Sequence, residues 1–196
     1  MPSPFRTAFQ DTLVFTQRFL TNYRQIGAFV PSSAAAARTI SNAIGPMQAG
    51  QVIIELGAGT GSFTRQLCAD YPDQQVIAVE LDPTLAQRLR SNCPTAQVVE
   101  GCASRLAEHL AARNLTPAAV GGVVSALPFV SLPPDLRERI FKAIVDVLPT
   151  GRKYAQITYF TGAWKNFRLE SWFNRAPDRR VWRNLPPAVI MTFARK

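Results

Sequence analysis

Residues 52–64 decide the fold, and they read Val52-Ile53-Ile54-Glu55-Leu56-Gly57-Ala58-Gly59-Thr60-Gly61-Ser62-Phe63-Thr64. An apolar run that ends in an acid predicts a buried strand, and glycine at every second position predicts a tight turn into a helix. A turn without Cβ atoms lets the backbone approach a ligand closely, and the following helix offers free N–H groups. The spacing Gly-x-Gly-x-Gly differs from the dinucleotide fingerprint Gly-x-Gly-x-x-Gly. The stretch predicts a ligand site, and the alternative is a strand-to-helix turn without a ligand.

Apolar runs alternate with helical patterns along the rest of the chain, which predicts an α/β fold. Strands are predicted at 52–55, 75–80, 97–100, 120–125, 153–159, 180–183 and 188–193. Helices are predicted at 34–44, 62–69, 83–92, 104–113 and 134–148, with a loop or short helix at 161–178. Together they predict a mostly parallel, seven-stranded sheet with helices on both faces.

In such a sheet a ligand binds over the carboxyl ends of the strands. Glu55 ends the first predicted strand, and Glu80 ends the second, about 20 residues beyond the glycine turn. A carboxylate there can accept both hydroxyls of a ribose, whereas the alternative for Glu80 is a solvated acid at a strand end. Cys102 follows the third strand and Ser125 ends the fourth.

The composition predicts one globular domain with no membrane-spanning helix. The 196 residues carry a net charge of +9, and 47% of them are hydrophobic. Three cysteines without metal-like spacing predict reduced thiols in a cytoplasmic protein without a metal site, and Gln10 and Asp11 interrupt any signal-peptide core. Residues 151–196 hold ten Lys or Arg against two acids, a net charge of +8, which predicts an anionic partner such as a lipid surface or a nucleic acid.

Residues 1–46 are predicted to be a helical extension ahead of a domain spanning 47–196. The pattern at 5–24 predicts an amphipathic helix with arginines opposite an apolar face. That face carries Phe5, Phe9, Leu13, Phe19, Leu20 and Tyr23. This helix either packs on the domain or lies in the lipid interface. The connector at 27–33 either folds over the ligand or acts only as a spacer.

The glycine turn resembles the first motif of class I S-adenosylmethionine-dependent methyltransferases. Four further stretches resemble the small bacterial phosphatidylethanolamine N-methyltransferases over nearly the whole chain. They are Gly27-Ala28-Phe29-Val30-Pro31-Ser32-Ser33, Ser125-Ala126-Leu127-Pro128-Phe129, Gln156-Ile157-Thr158-Tyr159 and Asn184-Leu185-Pro186-Pro187-Ala188. The resemblance implies a Rossmann-like class I methyltransferase domain that methylates phosphatidylethanolamine and its methylated derivatives to phosphatidylcholine.

The resemblance also implies S-adenosylmethionine as the cofactor, held at the carboxyl ends of the strands. The expected cofactor contacts are Glu55, Gly57, Ala58, Gly59, Gly61, Glu80, Leu81, Cys102, Ala103 and Ser125. Related enzymes often have Asp where Cys102 stands, and a thiol accepts hydrogen bonds weakly. We therefore expect adenine to be held by packing beside Leu81 and by backbone groups. Phe160-Thr161 departs from the Gly-Pro expected after the family's tyrosine, which Tyr159 matches.

The reaction needs a neutral nitrogen, because an alkylammonium does not attack a methyl group. With a pKa near ~10, only about one amine in a thousand is neutral at pH 7. The expected catalytic residues are Tyr159, Ser125, Leu127 and Tyr23, through hydroxyl groups, turn carbonyls or aromatic faces. Phe129 and Trp164 are further candidate faces for methylated cations, or else core residues. His109 is predicted to be structural, with no catalytic role.

The basic residues of the C-terminal stretch either bind lipid phosphates or form a solvated surface. They are Lys165, Arg168, Arg175, Arg179, Arg180 and Arg183. With helix 5–24 they predict a monomer attached peripherally to the inner, anionic face of a membrane, with no nucleic-acid partner. One alternative is an rRNA adenine N6-methyltransferase, although Ser125 stands where that family's motif has Asn. Another is a membrane-remodelling protein without catalysis.

Overall fold

The computed structural model describes residues 32–196, and all structural statements below concern that part of the chain. Its α-helices are α1 (Ala34–Ile44), α2 (Ser62–Asp70), α3 (Pro83–Asn92), α4 (Leu106–Ala111) and α5 (Pro134–Val147). Its strands are β1 (Val52–Leu56), β2 (Gln75–Glu80), β3 (Gln97–Glu100), β4 (Val120–Ser125), β5 (Lys153–Thr158), β6 (Phe173–Arg175), β7 (Arg179–Val181) and β8 (Ala188–Arg195). Single 3₁₀ turns span Ala103–Arg105, Pro117–Ala119, Phe129–Ser131 and Leu169–Ser171, and a longer one spans Gly162–Phe167.

The strands form one mixed sheet in the order β3-β2-β1-β4-β5-β8-β6, and β7 also pairs with β8. The first five strands are parallel to one another, and β8 runs antiparallel to β5. The chain steps outward from β1 to β2 and β3, then crosses to the other side of β1 with β4. The strand order therefore switches between β1 and β4, and a crevice for a ligand opens at such a point.

Two short strands, β6 and β7, pair with β8 at the edge of the sheet, where a single strand was predicted. β7 pairs with the first part of β8 and β6 with its last part, so residues 173–181 run along β8 as one interrupted strand. The interruption includes Pro177, which has no N–H to donate to a ladder. The sheet therefore has eight strands, whereas seven were predicted. The additional strand is β6, because the sequence pattern predicted only a loop or short helix at 173–175.

Alternating side chains of the central strands bury two separate apolar layers. Ile54 of β1 and Val123 of β4 pack with α4 and α5 on one face, whereas Ile53 and Val124 pack with α1 and α2 on the other. α3 covers the second face through Leu89. The prediction of helices on both faces of a mostly parallel sheet is confirmed.

Local capping explains where two helices begin. Ser33 accepts a hydrogen bond from the Ala36 N–H at the start of α1, and Asp82 accepts one from the Leu85 N–H at the start of α3. None of the helices in residues 32–196 combines the length and apolar character needed to cross a membrane. The predicted helix 5–24, Tyr23 and the first five residues of the connector lie outside the described residues.

Candidate active site

The glycine turn has the backbone conformation that its sequence predicts. Gly57, Gly59 and Gly61 have φ angles of 73°, 56° and 84°, a region that L side chains rarely adopt. The Gly57 N–H donates to the Val79 carbonyl oxygen at 2.9 Å, which anchors the turn to β2. A Cβ atom on Gly57 would lie 2.8 Å from Leu127 Cδ2. Glycine is therefore required at this position both by conformation and by space.

Glu80 lies at the carboxyl end of β2 and is 2% exposed. Its Oε2 accepts a hydrogen bond from the Gly59 N–H at 2.7 Å, and its Oε1 accepts one from the Asp82 N–H at 2.9 Å. The carboxylate thus joins the glycine turn to the start of α3. That Glu80 also accepts ribose hydroxyls stays a prediction, and its position next to the turn is the one that this role needs.

Glu55 is completely buried at the end of β1. Its Oε2 accepts a hydrogen bond from the Thr64 hydroxyl at 2.6 Å, whereas Oε1 has no hydrogen-bond partner among the described residues. Burial, assisted by the negative charge of Glu80, raises the pKa of Glu55 to about 7, despite the opposing hydrogen bond from Thr64. Glu55 lines neither cavity at the carboxyl ends of the strands, so its contact with the cofactor stays a prediction.

The raised pKa of Glu55 predicts that the contribution of this group to the stability of the cofactor-free protein falls as the pH rises. The carboxyl group ionises near 4.5 in the unfolded chain and near 7 in the folded one, so the folded state binds more protons between these values. This group should lower the free energy of unfolding by about 3 kcal/mol between pH 4.5 and 7, with little further change above pH 7.

Thermal unfolding at pH 5 and pH 8 checks this expectation through Glu55→Gln, which keeps an acceptor for Thr64 but cannot ionise. The difference in Tm between wild type and variant should change with pH in favour of the variant at pH 8. Because other titrating groups are common to both proteins, they cancel in this difference. A difference in Tm that is the same at both pH values would contradict the assignment.

Two chambers open at the carboxyl ends of the parallel strands and meet at Gly57 and Leu127. The first has about 570 Å³ of empty space, including its open mouth, and residues of β2, the β3–α4 connection and α5 line it. The second has about 800 Å³, counted in the same way, and it lies between the start of α2 and the end of β5. We call them the nucleoside chamber and the acceptor chamber, after the groups that they are predicted to hold.

The nucleoside chamber brings together five of the predicted cofactor residues, which are Gly57, Glu80, Leu81, Cys102 and Ala103. Cys102 Sγ lies 3.2 Å from the Ser104 hydroxyl. Apart from Glu80, apolar side chains, the Cys102 thiol and backbone groups form the walls of this chamber. Such walls were expected, because Cys102 stands where related enzymes often have Asp. Adenine packing in this chamber stays a prediction.

His109 supports the turn that forms one wall of the nucleoside chamber. Its Nε2–H donates to the Cys102 carbonyl oxygen at 3.0 Å, and a Cβ atom on Gly101 would lie 2.7 Å from the imidazole ring. Burial lowers the pKa of His109 below its ordinary value, which favours the neutral ring. A structural role was predicted for His109, but this contact was not, because the sequence gives no sign of which turn lies under α4.

The Ser125–Pro128 turn separates the two chambers and is fixed by hydrogen bonds to Ser125 and Gln156. The buried Ser125 hydroxyl accepts from the Leu127 N–H at 3.1 Å. The Leu127 carbonyl accepts from Gln156 Nε2 and from the Phe129 N–H, each at 2.9 Å. Leu127 lines both chambers, whereas Ser125 is on neither wall. Ser125 therefore shapes the turn, and the Leu127 carbonyl, with two donors already, is poorly suited to accept from a substrate amine.

Gln156 and Tyr154 form a buried polar pair that the sequence analysis did not assign to the site. The Tyr154 hydroxyl donates to Gln156 Oε1 at 2.7 Å, and both side chains are fully buried. This contact orients the Gln156 amide toward the Leu127 carbonyl. A glutamine inside an otherwise apolar strand is the signal that could have identified it, since a buried amide must find partners.

Tyr159 lies on the wall of the acceptor chamber and is half-buried. The Nδ2 atom of Asn184 lies 3.5 Å from the Tyr159 hydroxyl oxygen. The Oδ1 atom of Asn184 accepts a hydrogen bond from the Ser33 N–H at 2.8 Å. The connector before α1, the end of β5 and the β7–β8 loop therefore converge at Tyr159. The predicted stretches that contain Ser33, Tyr159 and Asn184 are brought together here.

Trp164 does not line the acceptor chamber. It therefore cannot offer a ring face to a methylated cation there, and the alternative that it is a core residue is confirmed. It is 4% exposed, its Nε1–H donates to the Thr158 hydroxyl at 3.2 Å, and its ring packs edge-on against Phe129. Phe129 does line the chamber, but its ring is stacked on Phe141 with centroids 4.4 Å apart. Among the described aromatic residues, Tyr159, Phe160, Phe129 and Phe63 border the chamber.

Comparison with known proteins agrees with this geometry. Residues 53–151 match the family described as Methyltransferase domain. The chain is 34% identical over 184 residues to an ornithine lipid N-methyltransferase from Singulisphaera acidiphila, covering 91% of this chain and 93% of the relative.

Two solved structures share the fold at low identity. A 1,6-didemethyltoxoflavin-N1-methyltransferase from Burkholderia thailandensis, bound to S-adenosylhomocysteine, has a TM-score of 0.68 and 17% identity, covering 100% of this chain and 92% of that one. A TehB-like methyltransferase from Corynebacterium glutamicum has a TM-score of 0.63 and 18% identity, covering 93% and 99%. The expected Rossmann-like class I fold is confirmed.

Proposed function

Because the chain belongs to the methyltransferase-domain family and uses S-adenosylmethionine as its cofactor, we propose that it N-methylates the primary amine of a membrane-lipid headgroup. The finer proposal is that phosphatidylethanolamine and its mono- and dimethyl derivatives are the substrates, giving phosphatidylcholine. The enzyme acts as a monomer on the inner, anionic surface of a membrane. The observation that carries the proposal is the 34% identity to an ornithine lipid N-methyltransferase along nearly both full chains.

The headgroups of ornithine lipids and phosphatidylethanolamine share the chemistry that matters here. Each presents a primary amine on a short chain, close to the polar boundary of a bilayer. Phosphatidylethanolamine adds a phosphate, for which the exposed arginines Arg179, Arg180 and Arg183 offer bidentate partners. The excess of positive charge in the C-terminal stretch therefore favours a phospholipid as the finer choice.

The lining of the acceptor chamber supports an amine nucleophile. Its described wall contains apolar and hydroxyl side chains and no carboxylate, so it gives an alkylammonium no ion-pair partner. Moving an ammonium group into such surroundings lowers its pKa and increases its neutral fraction. The polar groups are hydroxyls of Ser32, Thr60, Ser62, Ser131, Thr158 and Tyr159. They can orient the amine without holding it as a cation.

Positioning then supplies most of the rate acceleration. When bound, the cofactor would supply a methyl group on a positively charged sulfur. Transfer of that group to a neutral amine nitrogen would leave neutral S-adenosylhomocysteine and a methylated ammonium group. Gly57 and Leu127 lie where the two chambers meet, so the protein brings the amine and the methyl donor together there. Tyr159 offers an oxygen that can accept from the amine and a ring face for the methylated cations.

The test is transfer of labelled methyl groups from S-adenosylmethionine into liposomes that contain either phosphatidylethanolamine or an ornithine lipid. Label in phosphatidylethanolamine supports the full proposal, and label in the ornithine lipid alone retains lipid N-methylation but rejects the phospholipid. Label in unmodified rRNA with none in either lipid would overturn it in favour of an adenine N6-methyltransferase. Cofactor binding and liposome binding without transfer to any of these substrates would also overturn it.

A further inference from the structure

Three large apolar side chains are exposed in the described part of the chain. Phe160, Trp182 and Leu185 are 65%, 69% and 76% exposed. Each buries little surface within the protein, although full burial of such a side chain contributes roughly 1.5–3 kcal/mol. Single exposed residues of this kind are common, so their relative placement decides whether they form one surface.

The sheet register places all three side chains at the same end of the molecule. Thr158, near the carboxyl end of β5, pairs with Val189 at the start of β8, and Val181 at the end of β7 pairs with Ala188. Phe160 follows β5, and Trp182 and Leu185 lie in the loop that joins β7 to β8. They therefore lie at the carboxyl-end edge of the parallel strands, where the two chambers open.

This edge also borders the acceptor chamber directly. Phe160 lines the chamber, and Asn184, which precedes Leu185, has its side-chain amide 3.5 Å from the Tyr159 hydroxyl. We call Phe160, Trp182 and Leu185 the apolar rim. Its position means that a surface covering the rim also covers the mouth of the chamber.

The charged side chains of residues 179–196, the stretch that contains Trp182 and Leu185, are all positive. Arg179, Arg180 and Arg183 are exposed beside Trp182, and the Arg180 guanidinium lies 5.8 Å from the centre of the Trp182 ring. Residues 179–196 contain no Asp or Glu. Aromatic and aliphatic side chains surrounded by arginines match a bilayer interface with anionic headgroups, since the apolar tips enter the acyl boundary while the cations stay among the phosphates.

We propose that the apolar rim is a membrane-insertion site, which presses the mouth of the acceptor chamber against an anionic lipid bilayer. This inference rests on the proposed function and deepens it, because it identifies the face through which a lipid headgroup enters. The headgroup amine then reaches Tyr159 while its acyl chains stay in the bilayer.

Tryptophan fluorescence of the full chain tests the insertion without any methyl transfer. On mixing with vesicles of an anionic and a zwitterionic phospholipid, the Trp182 emission should shift to shorter wavelength and be quenched by lipids brominated along the acyl chain. Trp182→Phe keeps an aromatic side chain at the rim and should lose most of that signal. The variant retains the emission of Trp164, in the core, and of Trp172, half-buried against the core, and so supplies the background to subtract.

Substitution at the rim gives the matching affinity measurement by vesicle flotation. Trp182→Ser combined with Leu185→Ser should weaken binding to anionic vesicles by about 30-fold or more, because two apolar side chains no longer enter the acyl boundary. The Tm and the affinity for S-adenosylhomocysteine should be unchanged in this variant, which shows that the fold and the nucleoside chamber are intact.

Charge reversal provides a matched pair of variants. Arg183→Glu should weaken binding to anionic vesicles about tenfold. Arg88→Glu makes an equal change in net charge on α3, at the opposite edge of the sheet, and should have a much smaller effect.

Vesicle binding with unshifted and unquenched Trp182 emission would overturn the proposal. Concentration-dependent dimers that bury Trp182 without lipid, seen by sedimentation velocity, would also overturn it and assign the rim to a second copy.

Discussion

Replacing Glu80 by Gln lowers the affinity for S-adenosylhomocysteine by about 100-fold or more. Each hydrogen bond to an ionised acceptor contributes roughly 1.5–3 kcal/mol, and two ribose hydroxyls are expected to use this carboxylate. The variant also has one carbonyl oxygen for the two backbone N–H groups, of Gly59 and Asp82, that the carboxylate serves. One of these donors then faces an amide NH₂ group, which loosens the glycine turn. Isothermal titration calorimetry measures the loss.

Glu100→Gln is the matched control for this effect. Glu100 pairs with Glu80 in the register between β3 and β2, but it is exposed and its nearest cation is Arg90, at 3.7 Å. The same chemical change one strand away should leave the affinity within about twofold of the wild type, because surface ion pairs of this kind contribute little. Equal losses in the two variants would show that general electrostatics, and not the position of Glu80, governs binding.

Gly57→Ala reduces kcat/KM for methyl transfer by about 100-fold or more. The added Cβ must occupy a positive φ of 73° and would lie 2.8 Å from Leu127 Cδ2, at the point where the chambers meet. The backbone strain alone costs roughly 1–2 kcal/mol. Displacement of the turn or of Leu127 then moves the reacting groups out of alignment, to which in-line transfer is very sensitive. Initial rates of methyl transfer at saturating lipid, over a range of S-adenosylmethionine concentrations, give kcat/KM.

Gly50→Ala separates backbone strain from the contact with Leu127. Gly50 has a similar φ of 78°, but an added Cβ there would have no heavy atom within 4 Å. This control should lose only the stability that the backbone strain costs, and it should keep its activity. Combining Gly57→Ala with Leu127→Ala should recover part of the lost kcat/KM, since the clashing atom is removed. A Gly57→Ala enzyme with wild-type kinetics would contradict the role assigned to the turn.

Local patterns were sufficient for most of the fold. The helix at 34–44 and the strands at 75–80, 97–100 and 120–125 have the predicted limits. Their limits are set by neighbouring residues, such as the Ser33 cap and the apolar runs of the strands, so they can be read along the chain. Residues 173–175 could not be predicted in this way, because their strand exists only through pairing with the end of β8.

The residues of the candidate site also fall into those that local sequence identifies and those that depend on distant partners. Glu55, Glu80 and the three glycines were identifiable because strand ends and turn conformations are local properties of the sequence. The role of Gln156, and of Tyr154 that orients it, depends on the Leu127 carbonyl, 29 residues away in another turn. The role of His109 depends on the Cys102 carbonyl in the turn under α4, and the sequence did not indicate either contact. Of the two alternatives for Trp164, the structure confirms the core residue. The sequence could not choose between them, because an aromatic residue in a loop has the same pattern whether it packs in the core or borders a cleft.

The sequence by itself determined the alternation of strands and helices, the glycine turn, the two acids and the uneven charge, since each follows from the properties of adjacent residues. Only the tertiary structure decided that the Leu127 carbonyl is already engaged, that Trp164 is buried, and that Phe160, Trp182 and Leu185 share one edge with the mouth of the acceptor chamber. The physical reason is that hydrogen-bond saturation, burial and the composition of a surface depend on segments far apart in the chain, which the pairing of β5, β7 and β8 brings together.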